Sequence, residues 1–208
     1  SYEKAFAFCD LLVIGSGPAG LMAALTAARA GVDVILAEQD SLMGGRLLSD
    51  GGTLGTPWVE ATLTELRAMP NVRLMPRTTV VGAYDQGTYA ALERVGLHRP
   101  AAPHLPRESF WRIVAGQAIL ATGALERPIA FENNDRPGIM LAGAVSSFLG
   151  RWAVAPGRRM VLATNNDAAW SAALQAHDAG LEVAVLADER ARVDPWLLQQ
   201  ASEREFAL

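Results

Sequence analysis

The feature that most constrains this chain is the junction at residues 11–28. A short apolar run, Leu11-Leu12-Val13-Ile14, leads directly into Gly15-Ser16-Gly17-Pro18-Ala19-Gly20, after which Leu21, Ala24, Leu25 and Ala28 recur at helical spacing. An apolar, partly β-branched run of this length suits a strand covered on both faces, as a parallel sheet requires. Leu11 to Ala28 carries no charge over 18 residues, which is near the lower limit for a membrane span. Three glycines and a proline so close together are incompatible with a spanning helix, and no basic segment precedes the run as a secretory signal would need. The expected unit is strand, tight turn, helix. Gly31 then stops the helix, and Val32–Ala37 forms a second apolar run ending in Glu38. This is a βαβ unit, which fixes the fold class as α/β.

Residues 15–20 fit G-x-G-x-x-G, and Glu38 follows Gly20 by 18 residues, close to the ~20 of a dinucleotide-binding fingerprint. Each position has a physical task. Gly15 permits the tight turn, Gly17 lets a pyrophosphate approach the backbone, and Gly20 lets helix and strand pack closely. Ser16, Pro18 and Ala19 complete the loop, whose helix end offers free N–H groups and partial positive charge. A carboxylate at Glu38 would accept hydrogen bonds from a ribose hydroxyl and repel a 2′-phosphate, which favours NAD or FAD over NADP. Gly44-Gly45-Arg46 lies just beyond; the glycine pair allows a second backbone approach to the pyrophosphate, and Arg46 would neutralise its charge. Ala121-Thr122-Gly123 ends another apolar run, Gln117–Thr122, and strand carboxyl ends line the ligand crevice of an open parallel sheet.

The rest of the chain supports an open parallel sheet with an insertion. Residues 41–56 read as a Gly-rich loop, Val59–Met69 as a helix, and Val72–Pro76 as a third parallel strand. Thr78–Tyr84 and Tyr89–Val95 alternate like strands across an Asp85-Gln86-Gly87 turn, and Phe110–Val114 adds a third antiparallel strand, giving a β-meander. Leu97–Arg107 reads as a Pro-rich loop. A second βαβ follows: Met160–Thr164, helix Ala168–Ala179, Gly180, and Glu182–Ala187, with Asp188 in the place of Glu38. Its turn reads Thr164-Asn165-Asn166-Asp167, without glycine, and Trp170 is bulky. The expectation is the shape of a nucleotide domain without an intact second pyrophosphate site, the alternative being weak binding through the Asn side chains. Pro195–Glu205 adds a helical stretch. The domain reading is residues 1–145 for the dinucleotide domain and 146–208 for the first part of an inserted second one.

Other chemistries find little support. The net charge is −4 and no basic run occurs, so neither nucleic acid nor an anionic membrane is an expected partner. The single cysteine, Cys9, precludes an intrachain disulfide and a Cys-based metal site; it is placed just before the first strand. His98, His104 and His177 lack companions at ligand spacing, and Ser109 and Ser171 lack a nucleophile-elbow context. Asp188 reads as a solvated strand end. No residue is assigned a catalytic role and no metal is expected.

The motif order resembles the two-dinucleotide-binding-domain, glutathione reductase-like flavoproteins, without their redox cysteine pair. Longer strings are similar to the α-subunit family of heterotetrameric sarcosine oxidases: Pro70-Asn71-Val72-Arg73-Leu74, Arg77-Thr78-Thr79-Val80, Gly87-Thr88-Tyr89, Ala121-Thr122-Gly123-Ala124 with Glu126-Arg127-Pro128, Asn134-Asp135-Arg136-Pro137-Gly138, and Thr164-Asn165-Asn166-Asp167. Opine oxidase and amino-acid dehydrogenase subunits share related segments, and the alternative reading is a non-catalytic nucleotide-binding scaffold of such a complex. The resemblance implies a Rossmann-like FAD/NAD(P)-binding domain with parallel sheet and antiparallel insertion, in a cytoplasmic oxidoreductase that demethylates sarcosine or a related secondary amine with the help of other subunits. It implies NAD on this chain, with FAD as the alternative, and FMN at a subunit interface. The implied dinucleotide contacts are Gly15, Gly17, Gly20, Glu38, Gly45, Arg46 and Gly123, with backbone contact near Val80. It also implies that the chain is a section of a larger subunit, in which the closing strand of the first domain returns after the second. Surface that is core in the whole would then be exposed, and self-association or partial disorder over residues 150–208 is expected.

Overall fold

The structure is a computed structural model and describes residues 2–50 and 55–208; residues 51–54 of the expected Gly-rich loop lie outside the described residues. The chain forms two compact units, one built from the chain up to Leu47 and from Thr56–Gly123, the other from Leu48–Gly55 and Ala124–Leu208.

The first unit has strands β1 (Tyr2–Ile14), β2 (Val34–Ala37), β3 (Val72–Met75), β4 (Thr78–Tyr84), β5 (Thr88–Glu93) and β6 (Glu108–Leu120), with helices α1 (Pro18–Arg29) and α2 (Gly55–Ala68). They form one sheet in the order β3-β2-β1-β6-β5-β4. β1 pairs in parallel with β2, from Leu11 opposite Val34 to Ile14 opposite Ala37, and in parallel with β6 from Tyr2 to Ile14. β4, β5 and β6 pair antiparallel as the expected meander. The apolar stripe of α1, Leu21, Ala24, Leu25 and Ala28, packs with Val59, Leu63 and Leu66 of α2 over Val13 and Leu36. Each fully buried leucine here contributes about 1.5–3 kcal/mol. α1 ends where Gly31 takes φ +81°. The Asn71 amide donates to the carbonyls of Ala28 (3.0 Å) and Val32 (2.8 Å), which ties the end of α1 and the turn after it to the start of β3.

The second unit contains a two-stranded parallel sheet of β7 (Arg159–Thr164) and β8 (Glu182–Asp188), with helices α3 (Ala142–Ser146), α4 (Asp167–Asp178) and α5 (Pro195–Glu203). A π-type turn, Ser147–Arg151, continues α3. The core gathers Trp170, Ala173 and Ala176 of α4 with Leu186 and Leu197.

Several expectations require correction. Phe110–Val114 and Gln117–Thr122 are not separate strands: β6 runs through both, because β1 is long enough to pair with it from end to end. The second half of β6 is also not buried on both faces. β5 accompanies it only as far as Val114, so Gln117, Ile119 and Leu120 lie exposed. Cys9 does not precede the first strand but lies inside β1, opposite Ala115. Asp188 is not solvated: its side chain is 6% exposed, for reasons given below.

Candidate functional site

The parallel strands place their carboxyl ends together, which collects Gly15, Glu38 and Ala121. The turn after β1 is dictated by sterics. Gly15 has φ +99°, and a Cβ on it would collide with the Ala121 carbonyl; one on Gly20 would collide with the carbonyl of Gly15. Glycine is required at both positions for contacts within the protein. Gly17 is different. It is the N-cap of α1 with φ −64°, and nothing lies within 4 Å of where its Cβ would stand. Neither backbone strain nor a protein neighbour demands glycine there, whereas a ligand approaching the backbone would.

No side chain caps α1, and Pro18 fills its first turn. The first-turn N–H groups therefore remain available to an anion, reinforced by the helix dipole. Gly44 donates its N–H to the Ser16 carbonyl at 3.0 Å. Gly45 has φ +56°, and its Cβ would stand 2.8 Å from Gly17 Cα. The Gly44-Gly45 turn thus lies against the fingerprint loop, and Arg46 follows it at the surface.

Glu38 follows β2 directly and is 8% exposed. Its Oε2 accepts from Ser16 N–H (2.9 Å) and Ser16 Oγ–H (2.7 Å), and Oε1 accepts from Asp40 N–H (2.8 Å). Three neutral donors orient the carboxylate. Since a carboxylate has about four lone-pair sites, acceptor capacity remains. Ser16 is fully buried, so its role is to aim Glu38. The spacing signalled both residues but not their bond. The Thr78 N–H donates to the Glu38 carbonyl at 2.7 Å, which brings the start of β4, and Val80 with it, beside this strand end. Thr122 and Gly123 extend past β6 at the surface; Gly123 has φ +71° with open space around its Cβ position. Pro18 and Ala19 are exposed at the mouth of the loop. The sequence-derived residues therefore share one end of the sheet. Ala121, which sets the positions of Gly15 and Gly20, was legible only as part of a tripeptide.

The remaining chemistry-bearing groups stand apart. Burial pushes the Cys9 thiol up to about 11, so it is held as a poor nucleophile. No group of three His, Cys, Asp or Glu residues among those described could hold a metal ion. A groove of about 510 Å³ is lined by Asp10 and Leu11 of β1, Val32 just before β2, and Gly116, Gln117 and Ile119 of β6.

Residues 10–86 match the model of the FAD dependent oxidoreductase family. The L-proline dehydrogenase of P. horikoshii shares the fold with TM-score 0.71 at 24% identity, over 92% of this chain and 38% of that one. The α subunit of sarcosine oxidase from Rhizobium meliloti (strain 1021) is 52% identical over 91% of this chain and 20% of that protein. An opine oxidase subunit from Agrobacterium tumefaciens (strain Ach5) is 30% identical over 84% of this chain and 35% of that protein. The fold and the loop define a Rossmann-like α/β domain with the fold of the FAD-dependent oxidoreductases. Within that class, the chain is homologous to the sarcosine oxidase α subunits across nine tenths of its length, and it spans about one fifth of theirs.

Proposed function

We propose that residues 15–20, Glu38, Gly44–Arg46, Val80, Thr122 and Gly123 hold an adenine dinucleotide, and that the chain is the cofactor-holding part of an oxidoreductase component that works in the oxidation of sarcosine or a related secondary amine. The observation that carries the reading is Gly17, a glycine at a helix terminus without a side-chain cap, where neither backbone strain nor a protein neighbour requires it and a Cβ would stand in the path of a ligand approaching the backbone. The N–H groups of the loop and α1 would bind the pyrophosphate, Arg46 would offset its charge, and Glu38 would accept from a ribose hydroxyl. FAD is favoured by the family match over residues 10–86. NAD shares the same ADP half, so the loop and Glu38 would serve either. A bound flavin would supply two-electron acceptance from the amine. This chain contributes binding and orientation, and no side chain of the site has the arrangement of a general base or nucleophile. Partner subunits and a cytoplasmic location follow from the same proposal; no helix among the described residues is long and apolar enough to cross a membrane.

The deciding experiment is absorbance and mass analysis of the cofactor released from the purified protein. Visible flavin absorbance assigns FAD, and an ultraviolet excess with the mass of NAD assigns NAD. Protein that releases neither, and whose melting temperature is unmoved by millimolar FAD or NAD, sinks the proposal, since a specific ligand stabilises in proportion to the logarithm of its concentration.

A further inference from the structure

The second βαβ repeats the first in outline, yet every feature that keeps the first site open is closed in it. Where α1 has the uncapped Gly17, α4 has Asn166, whose side-chain oxygen accepts from the N–H of Ala168 (3.1 Å) and Ala169 (3.4 Å). The donors that would meet a phosphate are already engaged by a neutral amide. Asn166 is itself fixed by a 3.1 Å bond from its N–H to Thr164 Oγ1.

The strand-end carboxylate shows the same contrast. Asp188 stands where Glu38 stands in the first unit. Trp170 Nε1 donates to its Oδ2 at 2.7 Å. Arg190 donates its backbone N–H (2.9 Å) and Nε (3.0 Å) to Oδ1, and Nη2 (2.8 Å) to Oδ2. The same guanidinium reaches Asp167, the first residue of α4, with Nη1 2.8 Å from Oδ1. Arg190 thus spans the strand end and the helix start, the two groups a dinucleotide would join. Asp188 has no lone pair left for a ribose, and Asp167 puts negative charge where a phosphate would dock.

We infer that the second βαβ is closed to nucleotides by its own side chains, with Arg190 occupying the crevice as an internal cation. The inference deepens the functional reading given above but rests on different residues, so the two can fail separately.

Hydrogen–deuterium exchange of the purified protein, with and without saturating FAD, NADH or NADPH, tests it. Protection is expected over residues 15–20 and 38–46 and absent over 164–170 and 188–190. Dinucleotide-dependent protection of 164–170 overturns the inference; lack of protection over 15–20 with every probe overturns the functional reading alone. Arg190→Ala supplies the second arm. It should speed exchange of 164–170 and 188–190 about tenfold, as expected when a local closed state loses its ties, while leaving any protection at 15–20 intact. Unchanged exchange in that variant removes Arg190 from the closing role.

Discussion

At the scale of single residues, the three fingerprint glycines separate into two kinds. Gly15 and Gly20 serve the fold: their missing Cβ atoms make room for the carbonyls of Ala121 and Gly15. Gly17 serves the space outside. Gly20→Ala should therefore cost about 3 kcal/mol, the upper range for overpacking against backbone, measured by denaturant unfolding. Gly17→Val should change stability within about 1 kcal/mol yet abolish the ligand-induced rise in melting temperature. Equal effects of the two on stability would mean that Gly17 is structural. The sequence motif assigned all three glycines their tasks but not the Ala121 and Gly15 carbonyls that enforce two of them, because those contacts depend on which atoms stand opposite in the fold. Ser16 was hidden for the same reason. Its position in the loop suggested a ligand contact, whereas it is buried against Glu38.

At the scale of elements, α1 and α4 are legible from the same apolar spacing but end on different chemistry at their amino termini. Removing the cap with Asn166→Ala should lower the stability of the second unit by about 1 kcal/mol, read as faster exchange in α4. Asp188 adds a pH dependence. Its bonds to Arg190 and Trp170 hold its carboxyl well below the usual carboxylate range. A depressed folded-state value means that the unfolded chain binds the proton more readily, so the contribution to stability is fully present above the unfolded value of about 3.9 and is lost as pH falls toward the folded value. Asp188→Asn keeps an acceptor for Trp170 but loses the charge. Its deficit against the wild type should be constant from pH 8 to about 5 and shrink below about 4, measured by urea unfolding. A deficit that grows on acidification would reverse the sign and refute the pairing. The length of β6 was not legible, since Ala115 and Gly116 read as a break between two strands. Their continuity comes from pairing with β1, a long-range contact that no local pattern reports.

At the scale of the whole chain, composition gives only half of the picture. Half the residues are hydrophobic, yet several of the largest do not enter a core. In β1, Tyr2, Phe6 and Phe8 alternate along one face, and their exposures of 82%, 64% and 76% show that nothing within the unit covers them. Phe110 continues that face, since it pairs with Lys4 between Tyr2 and Phe6. In the second unit, Val161 and Val185 pair across β7 and β8 with their side chains in solvent. Alternation in a strand signals one covered and one open face, and here the open face carries several large aromatic side chains interleaved with Lys4 and Arg112, more apolar than a solvated face requires. Exposed aromatic and aliphatic side chains drive association in water at about 25 cal/mol per Å² of apolar area removed. The chain on its own should accordingly self-associate with rising concentration, seen as an increasing weight-average sedimentation coefficient. Replacing Phe6 and Phe8 together by Ser should weaken that association while leaving ligand-induced stabilisation through the glycine loop unchanged, because both lie in the amino-terminal half of β1 and the loop follows its carboxyl end. A sedimentation coefficient independent of concentration in the wild type would show that these faces do not drive association.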